Sequence, residues 1–93
     1  MPTRVTLSRA AEKDVLRVPH HVVLKLNGWI RLVETRGLQE ARKIPGSHDE
    51  PLKGPRHGQR SIRLSRAYRA VYVVSSSGDL VLVTIEEVMK HEY

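Results

Sequence analysis

The spacing of apolar residues predicts helices in the first half of the chain and strands in the second. Residues 4–7 alternate between apolar and polar side chains, which is typical of a short strand, and residues 9–17 carry apolar side chains at helical spacing. A longer helix is predicted over residues 19–36. Its apolar stripe consists of Val23, Leu26, Ile30 and Val33.

Capping and breaking residues mark the ends of these helices. Ser8 can accept a free amide of the first helical turn, and Pro19 suits the first turn of the second helix. Gly37 is expected to end that helix, and residues 38–44 to add a short helical turn. Two helices with so short a connection form a helical hairpin.

The apolar period changes to two after a loop predicted over residues 45–59. Strands are then predicted at residues 61–64, 69–74 and 80–88, with a hairpin turn at residues 76–79. Strands that follow one another along the chain favour antiparallel pairing. The expected fold is therefore α+β: a small antiparallel sheet of about four strands with the N-terminal helical hairpin packed on one face.

Size and composition are consistent with one small soluble domain. A chain of 93 residues has room for one hydrophobic core, so we expect a single domain spanning 1–93. It contains no cysteine, so disulfides and thiolate metal sites are not expected. No stretch resembles a signal peptide or a membrane span. These features predict a cytoplasmic protein without a membrane partner.

The excess positive charge lies in one segment, residues 51–70. This segment has no acidic residue, whereas the rest of the chain carries ten basic and ten acidic residues, so the formal net charge of +6 belongs to the segment. Its basic residues are Lys53, Arg56, Arg60, Arg63, Arg66 and Arg69. Clustered cations of this kind indicate a surface that binds a polyanion, although a solvated basic face is the simpler alternative.

Strand alternation predicts where two of these arginines point. If Ile62 and Leu64 face the helices, Arg63 points to the sheet face that the helices leave uncovered, which we call the open face. Arg69 joins it there if its neighbour Ala70 faces the core. Like charges on neighbouring strands destabilise a sheet, so stability alone would not favour this placement. The pair therefore favours a functional interpretation.

Histidine and tyrosine residues could supply proton transfer beside the arginines. His57 lies in the basic segment, and the chain ends with His91 and Tyr93. RNA cleavage needs a base for the ribose 2′-hydroxyl, an acid for the leaving 5′-oxygen and cations for the phosphorane. The five histidines lack the spacing of metal ligands, so neither a metal nor a cofactor is expected.

The chain resembles the RelE/ParE superfamily of bacterial toxins from type II toxin–antitoxin systems, nearest its RelE/HigB-like mRNA endonucleases. The resemblance is carried by the pattern PLKG…G…SIRL…YRAVY, after two N-terminal helices. It implies a toxin that enters the ribosomal A site and cuts mRNA without a metal. Arg63 and Arg69 match phosphate-stabilising positions, Lys53 matches an RNA-contacting position, and His91 and Tyr93 resemble the terminal acid, base or stacking groups.

Three functional hypotheses remain open at this stage. In the first, the protein is a ribosome-dependent endoribonuclease that inhibits translation. Its RNA-docking residues would be Lys53, Arg56, Arg60 and Arg66. In the second, it is a ParE-like toxin that is not a nuclease and inhibits DNA gyrase; in the third, it binds RNA without activity. The first two imply a cognate antitoxin in a hetero-oligomer, whose acidic or amphipathic segment would neutralise the arginine face.

Overall fold

The computed structural model describes residues 2–90, which form a five-stranded sheet with the helices on one face. The elements are β1 (Thr3–Leu7), α1 (Arg9–Val15), α2 (His20–Arg36), α3 (Leu38–Arg42), β2 (Glu50–Pro51), a 3-10 turn (Gly54–Arg56), β3 (Arg60–Arg63), β4 (Tyr68–Ser77) and β5 (Leu80–Lys90). Among these helices, none combines the length and the apolar character that crossing a membrane requires.

The helix ends follow the capping signals closely. The Ser8 hydroxyl accepts the Ala11 N–H at 3.1 Å, and Gly37 ends α2 with a φ of 89°, a conformation that favours glycine. Helix α1 ends at Val15, two residues earlier than predicted. Its last turn tightens, since the N–H groups of Leu16 and Arg17 donate to carbonyls three residues earlier. Pro19 occupies the N-cap position of α2 rather than the first turn.

The buried stripe of α2 is rotated slightly from the predicted one. Leu26 and Val33 are buried as expected, but Val23 and Ile30 are only half-buried. Their places in the core are taken by Val22 and Trp29. The indole of Trp29 packs on the ring of Tyr72 in β4, with ring centroids 5.1 Å apart. A large aromatic contact of this kind orients the helix on the sheet.

The predicted α+β fold with the helices on one face is confirmed, but the sheet is mixed and has five strands, in the order β1-β5-β4-β3-β2, instead of about four antiparallel ones. Strands β2 to β5 pair antiparallel, but β1 pairs with β5 in parallel. The helical hairpin and three other strands separate β1 from β5 along the chain, and sequential pairing therefore does not apply to them. The fifth strand, β2, has only two residues, too few to show an alternating pattern.

A β-bulge in β5 changes which side chains face the core. Tyr72 pairs with Ile85 and Val71 pairs with Glu87, which leaves Glu86 without a partner in β4. Ile85 and Val88 are both buried, although in a regular strand residues three positions apart would lie on opposite faces. Glu87 therefore lies on the open face, beside Val71.

Candidate functional site

Arg63 and Arg69 are directly opposite each other on the open face. They are Cα partners in the β3–β4 pair, and their neighbours Ile62 and Ala70 are buried beneath the helices. The Leu64 N–H donates to the Tyr68 carbonyl at 2.9 Å and closes the turn between the two strands. The predicted placement of the two arginines is confirmed.

Arg66 lies in that same turn and is exposed. A chain that reverses direction within four residues keeps the turn beside the last pair of its strands. The turn therefore presents a further guanidinium-bearing residue close to the pair of Arg63 and Arg69.

A carboxylate that the sequence analysis did not select joins the arginines. Glu50 in β2 pairs with Ser61, and its Oε1 lies 3.8 Å from Nη1 of Arg69. The side chain of Glu50 is 58% exposed, so a ligand on this face could reach it. Glu50 directly precedes the basic segment, so a segment defined by its lack of acidic residues begins just after it. Pro51 is the one local signal that could have pointed to Glu50, because proline is tolerated in an edge strand and Glu50 directly precedes it.

The β2–β3 loop (residues 52–59) bends over the open face. The Leu52 N–H donates to the Gln59 carbonyl at 2.9 Å and closes the loop, while Nε of Arg56 donates to Oε1 of Gln59 at 2.8 Å. The Arg56 guanidinium also forms an ion pair with Glu87 on β5. Because β4 lies between β3 and β5, the Arg56 side chain must extend over β4 to make this contact. This explains why Val71, on the open face, is only 2% exposed.

Two other predicted site residues belong to this loop. Lys53 precedes the 3-10 turn, and His57 follows it; both are exposed. His57 directly follows Arg56, whose side chain reaches across the open face to Glu87. The structure therefore brings the loop to one side of the arginine pair, with a histidine at its surface. His91 and Tyr93 lie outside the described residues.

Arg60 lies apart from the other predicted RNA-docking residues. It is the Cα partner of Tyr72, whose side chain is in the core, so Arg60 faces the helix side of the sheet. Its Nε donates to Oδ1 of Asp49 at 2.7 Å, and the Tyr72 hydroxyl donates to Oδ2 of the same carboxylate at 2.5 Å. The side chain of Asp49 is only 1% exposed. Arg60 thus satisfies a buried carboxylate, and we leave it out of the RNA-docking surface.

Burial, together with the hydrogen bond to Asp49, raises the pKa of Tyr72 to about 12. Because an unfolded tyrosine titrates at a pKa of about 10, the unfolded chain loses this proton first as the pH rises. The free energy of unfolding should therefore fall by about 2–3 kcal/mol between pH 10 and pH 12. Below pH 10 the stabilisation that comes from protonated Tyr72 is fully present. Urea unfolding across this range measures the change.

Tyr72→Phe is the variant that isolates this titration. Its difference in free energy of unfolding from the wild type should shrink as the pH rises, since it carries no titrating hydroxyl at position 72. Tyr68→Phe serves as the control and should keep the wild-type decline. A constant difference between wild type and Tyr72→Phe from pH 9 to pH 12 would contradict the assignment.

An apolar groove opens between α2 and the end of β3. Its volume is about 190 Å³, and Arg63 lines it together with residues of α2. Leu24, at 56% exposed, stands at the α2 side, and Gly28 has open space where a side chain would project. The indole N–H of Trp29 is buried without a hydrogen-bond partner within the described residues. Because Arg63 lines the groove and also lies on the open face, the groove is continuous with the open face at this residue.

Solved structures of bacterial toxins share this fold over nearly the whole chain. The YoeB/ParE toxin from Agrobacterium tumefaciens has a TM-score of 0.72 and 25% identity, covering 96% of this chain and 99% of that one. The E. coli DinJ–YafQ toxin–antitoxin complex gives a TM-score of 0.73 at 20% identity, covering 98% and 94%. The YoeB–YefM complex from Staphylococcus aureus gives 0.68 at 22%, covering both chains fully. No protein-family model and no curated protein matches the chain.

Proposed function

We propose that this chain, which belongs to the RelE/ParE superfamily of toxin–antitoxin toxins, cleaves mRNA on the ribosome and so inhibits translation. One observation carries the proposal: two arginines face each other across β3 and β4 on the open face, with the carboxylate of Glu50 at 3.8 Å from Arg69. This arrangement juxtaposes cations for a phosphate with a group that can take a proton. Such a set supplies two of the three groups that cleavage by the neighbouring ribose hydroxyl needs, the third being an acid for the leaving oxygen.

In the proposed reaction, Glu50 removes the proton of the ribose 2′-hydroxyl. The 2′-oxygen then attacks the adjacent phosphorus, and the bond from phosphorus to the 5′-oxygen breaks. Arg63 and Arg69 stabilise the negative charge that develops on the phosphorane, because fixed guanidinium groups need no reorganisation at that moment. The leaving 5′-oxygen receives a proton from His57 or from the terminal His91 and Tyr93. The products are a 2′,3′-cyclic phosphate and a free 5′-hydroxyl.

The remaining cations are proposed to dock the protein on RNA. Lys53 and Arg66 are exposed on either side of the arginine pair, in the β2–β3 loop and in the β3–β4 turn. Arg56 borders the same surface, although its pairing with Glu87 leaves less charge for RNA. Contacts of this kind position the phosphate backbone and weaken as salt rises. Ribosomes and mRNA are thus the proposed partners, which implies a cytoplasmic location.

A cognate antitoxin is the proposed regulator. Two of the similar solved structures are toxin–antitoxin complexes, and this chain offers an apolar groove bordered by the cations Lys25 and Arg63. An amphipathic segment with acidic residues fits both features, since its apolar side would bury the groove while its carboxylates pair with the cations. Binding at Arg63 would also compete with RNA.

Cleavage mapping with and without ribosomes tests the proposed function. Purified protein should cut a translated mRNA at defined sites in the presence of ribosomes, as primer extension shows, and Arg63→Ala and His91→Ala should weaken those cuts. Growth arrest with intact mRNA and a DNA-damage response would instead identify a gyrase inhibitor. Absence of any toxicity would leave an inactive RNA-binding protein.

A further inference from the structure

Helix α1 replaces the missing strand neighbour of β5 where β1 ends. Strand β1 pairs with β5 only as far as Ile85. Beyond that point the Ser8 hydroxyl donates to the Glu86 carbonyl at 2.7 Å, and the Val88 N–H donates to Oδ2 of Asp14 at 2.9 Å. Two polar side chains from the start and the end of α1 thus satisfy the outer edge of β5 at the bulged residue Glu86 and two residues beyond it.

The bulge determines which face of the sheet receives the end of β5. Side chains alternate along a strand, so a shift of one residue moves each of them to the opposite face. With Glu86 bulged out, Val88 is buried and Glu87 lies on the open face, where it pairs with Arg56. Without the bulge, Glu87 would be directed at the core and Val88 at the open face, and Glu86, one residue earlier, would stand opposite Val71, so the contact between Arg56 and Glu87 would be lost.

We infer that Asp14 is a positioning residue of the proposed nuclease: its hydrogen bond to Val88 holds the β5 bulge that keeps Glu87 on the open face. The inference rests on the proposed function, but its structural part does not depend on catalysis. Asp14 is half-buried on the helix side of the sheet and is not part of the arginine surface. It acts through Val88 and Glu87 on Arg56, and therefore on the loop that carries Lys53 and His57.

Substitution of Asp14 separates this role from a merely structural one. In Asp14→Ala the Val88 N–H loses its acceptor, so its amide exchange, followed by NMR, should become about ten- to hundredfold faster. The kcat for ribosome-bound mRNA should fall about tenfold with little change in KM, because the loop is displaced while the arginine pair remains. Asp14→Asn keeps an acceptor oxygen and should restore most of both. Glu12→Ala, an exposed carboxylate on the same helix, is the matched control.

A double-mutant cycle with Glu87→Gln tests the route of the effect. Glu87→Gln alone should displace the Arg56 Nε–H resonance and lower kcat while leaving the Val88 amide protected. Combined with Asp14→Ala, its effect on kcat should be non-additive, since both changes release the same loop. Additive losses, or a Val88 amide still protected in Asp14→Ala, would overturn the inference. If the wild type cleaves no RNA, the proposed function fails, and the Val88 exchange and Arg56 resonance still test the positioning.

Discussion

Arg69→Ala is expected to lower the rate of ribosome-bound mRNA cleavage by about 10²–10³ at saturating substrate, which is the usual cost of removing one preorganised transition-state donor. The Arg69 side chain is only 23% exposed; it stands opposite Arg63 on β3, and its Nη1 lies 3.8 Å from Oε1 of Glu50 on β2. Its guanidinium is therefore fixed before substrate arrives. Single-turnover cleavage of a synthetic mRNA on programmed ribosomes measures the loss.

Two companion variants separate catalysis from simple charge loss. Arg17→Ala removes the same charge from an exposed position in the connection between α1 and α2, and it should cleave at close to the wild-type rate. Arg69→Lys keeps the charge but loses the planar fork of donors, and it should recover only part of the rate. If Arg17→Ala and Arg69→Ala lose the same fraction of the cleavage rate, Arg69 contributes only its positive charge and not a specific contact.

The position of the arginine pair could be predicted because strand alternation is a local property. Burial of Ile62 and Ala70 follows from their own side chains, and the turn between the strands is short enough to fix the register. Once these two positions face the core, Arg63 and Arg69 have only one other face available. The helix boundaries at Ser8 and Gly37 could be predicted for the same reason, since caps are set by the residues themselves.

The partners of the basic residues could not be predicted, because they come from distant parts of the sequence. The segment 51–70 contains no acidic residue, yet Asp49, Glu50 and Glu87 meet three of its arginines in the folded chain. A count of charges along the sequence therefore overstates the free cationic surface. Arg60 is the clearest example of a basic residue that is not part of this surface. It faces the helix side of the sheet, where its guanidinium donates to the carboxylate of Asp49.

The bulge in β5 could not be predicted from sequence patterns either. The run of residues 80–88 is rich in apolar side chains, and its alternation does not reveal a change of face after Ile85. What fixes that change is a set of contacts from α1, more than seventy residues earlier in the chain. Long-range hydrogen bonds of this kind select among registers that the local sequence leaves equivalent.

Glu50→Gln is expected to reduce cleavage by about 10²–10⁴, the range typical of losing a positioned general base. The amide keeps the shape of the side chain, and its oxygen can stay as near Arg69 as the carboxylate oxygen does, but it cannot take the proton of the 2′-hydroxyl. Single-turnover cleavage of a synthetic mRNA on programmed ribosomes measures the loss. Binding to ribosomes should change little.

Glu40→Gln is the matched control for this variant. Glu40 is an exposed carboxylate in an ion pair with Lys43, and its side chain is 55% exposed against 58% for Glu50. Exposed ion pairs contribute at most about 1 kcal/mol, so both variants should unfold at nearly the wild-type urea concentration. A folded Glu50→Gln protein that cleaves at the wild-type rate would remove Glu50 from the mechanism. The base would then have to be sought among His57, His91 and Tyr93, with the arginine pair unchanged in its role.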